Sequence, residues 1–367
     1  MVIRLFEPKL PTTDELTPYF KKIEIERRYS NFGPMVENLE NRLSKYFGVQ
    51  IDELVTTSNA TLALEAAVQT SGNDQRWLTP AWTFTATNLA LARSGVEYTF
   101  GDVDDNWRLQ NLAGYDAIMD VCAFGDSISL NRFSEFKSTL LIDAAGSFAA
   151  LEDFGTLLKN RKSPTGVVVS FHPTKMLPGI EGGVFISNNK DWVEKVRYWT
   201  NFGMNTKSVE RNSRQIGTNA KMNEFQAAVI ICSLEKYFTE LKDEWENLHD
   251  TARQISRQVG IQTHPAMKRG LLSTYWIVQA DSKTIQNIEN TFSRRGIETR
   301  RWWGFGTHRM DFFKEKKSAP LSNTNRIAMN SLGIPFHLFL TPSNFSIILD
   351  SLSEGIRLES PLNPNPK

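Results

Sequence analysis

Cysteine is scarce in this chain, with Cys122 and Cys232 the only two. They stand apart in the apolar contexts IMDVCAF and AVIICSL, without the spacing of a disulfide framework, a zinc site or a redox pair, so both read as buried thiols in a reducing compartment. Histidine is nearly as sparse: the five positions form no H-E-x-x-H or other ligand pairing, and no metal is expected. An excess of one charge is also lacking. The 42 basic and 41 acidic side chains leave a net charge of +1, so no global field draws in nucleic acid or an anionic membrane, and neither is expected as a partner. No apolar run reaches the roughly 20 residues that span a bilayer. The opening MVIRLFEPKLPTTDEL lacks the apolar core of a secretory signal, and a cytoplasmic location is expected. Two familiar phosphate loops are missing as well: there is no G-x-x-x-x-G-K-[ST], and no G-x-G-x-x-G follows a strand.

What is present is a globular chain whose hydrophobic content, 40%, is enough for one large core and a smaller second one. Residues 1–30 are mixed and punctuated by proline, and read as an arm rather than a self-contained unit. The segment VENLENRLSKYFGV places Val36, Leu39, Leu43 and Phe47 on one helical face, with Gly48 as a stop. Short apolar runs then recur, RWLTP, VEYTFGDV, AIMDVCAF, TLLIDAAG, GVVVSF and GGVFIS, the early ones separated by the helical windows ATLALEAAVQ and TATNLALARS. Nearly continuous apolar strands alternating with helices predict a central, largely parallel α/β sheet within a large domain over 31–235. In NAKMNEFQAAVIICSLEKYF, Met222, Phe225, Val229 and Cys232 fall at helical spacing, and a long charged amphipathic helix follows. Beyond it, LSTYWIVQA, TIQNIENTFSRRG, the expected strand IETRRWW and the helix SNFSIILDSLSEGI form a small α+β domain over 236–358, and 359–367 reads as a disordered tail.

One stretch stands out, SFHPTKMLPGIEGG between the strands GVVVSF and GVFIS. A lysine at the end of a buried strand loses hydration, so Lys175 calls for a partner or a chemical use. One such use is a Schiff base with pyridoxal 5′-phosphate (PLP), which needs an acid for the pyridinium nitrogen, donors for the phosphate and a flat side chain against the ring. Asp143 ends TLLID, Ser170 precedes the lysine by five residues, SNAT would aim the amides of Ala60 and Thr61 at an anion, and Phe84 in PAWTFTAT offers a ring face. Each residue also has a plainer reading. Asp143 fits a turn cap, SNAT an ordinary helix cap, and Phe84 a core position.

The order of these features, together with NFGPMVENLENRL, TSNATLALEAAV, TPAWTFTATNLALARSGVEYTFGDVD, LIDAAGSFAA and GTNAKMNEFQAAV, resembles the DegT/StrS family of PLP-dependent nucleotide-sugar aminotransferases. The resemblance implies a fold type I α/β architecture with a seven-stranded, mostly parallel sheet in the large domain and a small α+β domain that the arm over 1–30 joins. It implies catalytic roles for Lys175 and Asp143, cofactor contacts from Ala60, Thr61, Phe84 and Ser170, and Asn219 reaching the site from the second subunit of a homodimer. The activity implied is transfer of nitrogen, with glutamate as donor and pyridoxamine phosphate (PMP) as the intermediate cofactor form. The acceptor implied is a dTDP- or UDP-linked keto-deoxy-sugar, in amino-sugar and surface-polysaccharide (lipopolysaccharide O-antigen) biosynthesis. Substrate candidates are His172, Arg301, Trp303 and His308, with Trp302 as an alternative stacking surface. Two positions depart from the family pattern: Gly146 stands where Gln or His contacts the cofactor's phenolic oxygen, and Lys221 stands where Arg is frequent. A PLP-dependent sugar dehydratase, which would carry histidine in place of Lys175, and a non-catalytic regulator of the same fold are the alternatives.

Overall fold

The computed structural model describes residues 2–72, 74–205 and 212–358. The expected tail at 359–367 lies outside them. Seven strands form the main sheet: β1 (Leu54–Thr57), β2 (Arg76–Pro80), β3 (Glu97–Gly101), β4 (Ala117–Val121), β5 (Thr139–Asp143), β6 (Thr165–Ser170) and β7 (Gly183–Ser187), in the order β1-β7-β6-β5-β4-β2-β3. From β6 to β3 every pairing is parallel, while β7 runs antiparallel to both β6 and β1. The sheet is therefore mostly parallel, as its nearly continuous apolar strands predict. β1 is the strand that the apolar runs do not reveal. Its four residues, LVTT, are half threonine, and only the neighbouring β7 makes a strand of them.

Both faces are covered. Leu141, Val168 and Phe185 pack under the helices Ala60–Thr70, Thr85–Arg93 and Lys190–Trp199, whereas Leu140, Ile142, Val167 and Val169 face the helices Pro34–Phe47 and Glu224–Lys236. The helix Pro34–Phe47 buries Val36, Leu39, Leu43 and Phe47 and ends at Gly48, whose φ of 68° suits a residue without a Cβ. Its first turn is capped from far away in sequence, because the Glu224 carboxylate accepts from the amides of Gly33 (3.0 Å) and Met35 (2.7 Å). A Cβ on Gly33 would come within 2.7 Å of that carboxyl group. Met222 lies outside the helix it was expected to share, which begins at Glu224 behind the cap Asn223.

A second sheet, β8 (Gln262–Thr263), β9 (Trp276–Gln279) and β10 (Ser331–Ile334), is antiparallel, in the order β10-β9-β8. The helices Lys242–Val259, Ser282–Arg294 and Pro342–Arg357 pack around it. The segment IETRRWW does not form the expected strand. Ile297 bridges to Ile3 and Arg300 to Gly333, but the Trp302 ring lies where a Gly333 side chain would project, and the chain turns away there. Within the arm, Ile3 and Leu5 bond to Gly296, Glu298 and Phe336 beside this sheet. The arm also carries a helix, Thr13–Glu26, started by a Thr12–Glu15 capping box that the sequence displays as T-x-x-E.

Candidate active site

The β1-β7-β6 register brings Thr57, Gly183 and Ser170 side by side across three strands. Because β1 and β6 both oppose β7, their C-terminal ends share one edge with those of β2, β4 and β5, the edge at which open α/β sheets hold ligands. The helix Ala60–Thr70 starts on this edge, capped by Asn59, whose side chain accepts from the Leu62 amide at 2.9 Å. Gly183 allows the helix start to come so close, since a Cβ there would sit 2.6 Å from the Ala60 nitrogen. The start of this helix and Ser170 thus both adjoin Gly183 on the same edge, an arrangement suited to a phosphate. The Ser170 oxygen here accepts from the His172 amide at 3.2 Å.

Asp143, at the end of β5, is 6% exposed. Its carboxylate accepts from the Thr87 hydroxyl at 2.7 Å and from the Ala145 amide at 3.1 Å. Among the described residues no cation forms an ion pair with it. Burial pushes its carboxyl above the ordinary range, and the two hydrogen bonds and the Lys175 charge offset this only in part. A buried, hydrogen-bonded carboxyl lacking a countercharge is the environment that a protonated pyridine nitrogen complements. Phe84, capping the helix Thr85–Arg93, leaves its ring 59% exposed despite its apolar character. These groups fit PLP.

Lys175 lies on the excursion from β6 to β7. Phe171 and Gly182 clasp that loop at its base (2.9 Å), the Lys175 amide donates to the His172 carbonyl, and the Ser233 hydroxyl holds the Pro178 carbonyl at 2.6 Å. The Lys175 Nζ donates to the Tyr275 hydroxyl at 2.9 Å. A small cavity of about 20 Å³ adjoins it, lined by Phe6, Pro8, Lys175, Trp245, Phe336 and His337.

The remaining candidates are spread more widely. His172 is exposed over nearly half of its side chain, pairs through Nδ1 with the Thr174 hydroxyl (3.0 Å), and lies 4.0 Å from Glu181; partial desolvation of the ring is the main cause lowering its pKa. Asn219 is exposed on a bridge to Asn201, and the Lys221 ammonium sits 4.5 Å from the centre of the Phe202 ring. Arg301 directs its guanidinium to Glu289 (2.8 Å) and the Met329 carbonyl (2.8 Å), within the small-sheet region. Trp303 stacks on Phe124 with ring centres 4.4 Å apart and meets Trp82 edge-on at 4.8 Å. His308 buries an unpartnered Nδ1, and desolvation lowers its pKa.

Two residues of the site escape sequence reasoning. Thr87, which positions Asp143, sits 56 positions before it, although its place in the first turn of the helix after β2 is a usable signal. Tyr275, 100 positions beyond Lys175, has none, because its strand reads simply as core.

Comparison with known proteins places this arrangement. Residues 12–353 match the model of the DegT/DnrJ/EryC1/StrS aminotransferase family. Over 248 residues the chain is 32% identical to a dTDP-4-amino-4,6-dideoxy-D-glucose transaminase of Shigella dysenteriae, a match spanning 64% of this chain and 65% of that one, just under two thirds of its length. A UDP-2-acetamido-2-deoxy-3-oxo-D-glucuronate aminotransferase of Pseudomonas aeruginosa is 23% identical over 88% of this chain and 90% of its own. The solved structure of NtdA from Bacillus subtilis with bound cofactor PMP superposes with a TM-score of 0.81 at 18% identity, covering 96% of this chain and 86% of that one. With a family model matched across nearly the whole chain, the protein is a member of the DegT/DnrJ/EryC1/StrS family of PLP-dependent aminotransferases.

Proposed function

We propose that the protein moves an amino group from glutamate to a dTDP- or UDP-linked keto-sugar, with Lys175 carrying the cofactor as a Schiff base. The observation that carries this reading is the placement, at one edge of the sheet, of Lys175 near enough to the buried Asp143 for its charge to act on that carboxyl, which forms no ion pair among the described residues. When bound, PLP supplies an electron sink for the carbon whose proton is removed. Asp143 keeps negative charge at the buried end of the site, the amides of Ala60 and Thr61 and the Ser170 hydroxyl receive a phosphate, and Phe84 covers a ring face. Lys175, once its amine is free, takes the proton from the donor's α-carbon. The relatives' named substrates support a nucleotide-linked sugar as acceptor, one carrying nitrogen at C4 and the other a 3-oxo group.

Asn219 belongs in this reading to the partner's site in a homodimer. Supporting it, Phe202 and Ile216 are exposed apolar residues near that segment, Phe202 being joined to it by the Asn201–Asn219 bridge and a bond to Thr218. A sugar dehydratase is disfavoured by Lys175 itself, and a regulator would have no use for a lysine able to shuttle protons. The test is borohydride reduction followed by peptide mapping, combined with glutamate turnover against 3-keto and 4-keto dTDP- and UDP-sugars read by mass. An adduct on Lys175 and an amino-sugar product are expected. An adduct on another lysine, or a lysine adduct without any amine product, overturns the proposal.

A further inference from the structure

The Tyr275 hydroxyl is held where it is by its surroundings rather than by chance of rotamer. Its ring meets Phe6, Phe124 and Trp302 edge-on, at centroid separations of 5.7, 5.2 and 5.3 Å, and Tyr275 is buried. Gly146 flanks the ring, since a Cβ there would lie 3.8 Å from Cε2, in ordinary van der Waals contact. Gly125, with φ of 86°, packs against the segment just before Tyr275, where a Cβ would come within 3.0 Å of the Leu272 carbonyl oxygen. From this fixed position the hydroxyl receives the Lys175 ammonium at 2.9 Å, and among the described residues that is its hydrogen-bond partner. The ammonium also lies 5.5 Å from the centre of the same ring.

We infer that Tyr275 is the docking point for the free amine of Lys175, a positioning residue that stabilises the lysine whenever it is not bonded to the cofactor. The inference rests on the assignment of Lys175 as the attachment site. To bond to an aldehyde the ammonium gives up its protons, the nitrogen–carbon bond forms, and the carbonyl oxygen leaves as water. The contact to Tyr275 is given up in that step. When an incoming donor amine replaces the lysine, Nζ returns to Tyr275, so the hydroxyl eases release of Lys175 and keeps its amine beside the site.

The sign of this effect separates it from a merely structural role. PLP consumes the free amine of Lys175, whereas PMP, which has no aldehyde, leaves it in place. In Tyr275→Phe, which keeps the ring and its edge contacts, PLP affinity is expected to rise about fivefold, the effect of one net hydrogen bond, while PMP affinity stays unchanged. Both are measured by titrating cofactor-stripped protein. Tyr275→Leu is read by the same ratio of PLP to PMP affinity, in which a general loosening of the site cancels. Equal weakening of both cofactors, or an unchanged ratio in either variant, overturns the inference. A borohydride adduct mapped away from Lys175 instead overturns the underlying attachment assignment, and the two failures are thereby told apart.

Discussion

Asp143 carries the sharpest conflict between stability and function at the level of a single residue. Its carboxyl is raised by burial, so the folded chain holds that proton more firmly than the unfolded chain does. The sign follows: without cofactor, stability falls as pH rises through and above the ordinary carboxylate range, because an uncompensated charge forms in the interior. Asp143→Asn is therefore expected to raise the melting temperature of cofactor-free protein at pH 7.5 by about 2 °C, an effect of about 1 kcal/mol, and to raise it less at pH 4. The same variant loses most transamination, since the neutral amide cannot keep a pyridine nitrogen protonated. Thermal unfolding with and without PLP, beside turnover, checks both halves; a lower melting temperature in the cofactor-free variant would show that the charge is compensated within the protein.

Among the elements, the helix Pro34–Phe47 depends on a residue nearly two hundred positions away. Glu224 accepts from the amides of the cap Gly33 and of Met35 and Val36 in its first turn, and Gly33 makes room for the carboxyl group. Glu224→Ala leaves those amides without an acceptor in a buried place and is expected to cost about 2–3 kcal/mol, whereas Glu224→Gln, which retains one oxygen, costs roughly half as much. Urea unfolding measures both. This cap was not legible in the sequence. The apolar face Val36, Leu39, Leu43 and Phe47 was legible, because it depends on a local period of 3.6 residues. The strand IETRRWW misled for the opposite reason: its β-prone composition is overridden by the Trp302 ring seated on Gly333.

Across the whole molecule, the segment that leads through Tyr275 into β9 is secured by two buried histidines. His249 Nε2 lies 2.8 Å from the Ser273 carbonyl and His264 Nε2 lies 2.9 Å from that of Tyr275. Burial is the main cause lowering their pKa values, to about 4 and about 3. Both values lie below that of an unfolded histidine, so unfolding takes up protons at mildly acid pH. The stability due to the neutral rings is full above pH of about 6.5 and declines by roughly 1.4 kcal/mol per unit for each histidine as pH falls toward the folded values. Urea midpoints between pH 7 and 5 should show this slope, and His249→Gln should remove about half of it. Subunit sharing is tested at the same scale. If Lys175→Ala and Asn219→Ala are each inactive, mixed dimers formed by co-refolding should recover about a quarter of wild-type activity, because random pairing makes roughly half the dimers mixed and each has one intact site. No recovery, with mixed dimers shown to form, places both residues in the same chain's site.

By itself the sequence determined the features that depend on short-range order. These were the apolar strands, the helix starts at SNAT and after PAWTF, the lysine loop between two buried strands, and a series of motifs specific enough to identify the family. Only the tertiary structure decided which groups meet. The β1-β7-β6 register set Ser170 beside the start of the helix Ala60–Thr70, Thr87 reached across to Asp143, and an aromatic nest held Tyr275 on Lys175. The physical reason is one of range. Helix caps and strand periodicity arise from residues a few positions apart, whereas the position of Tyr275 results from side-chain packing between segments that the chain joins only through its fold.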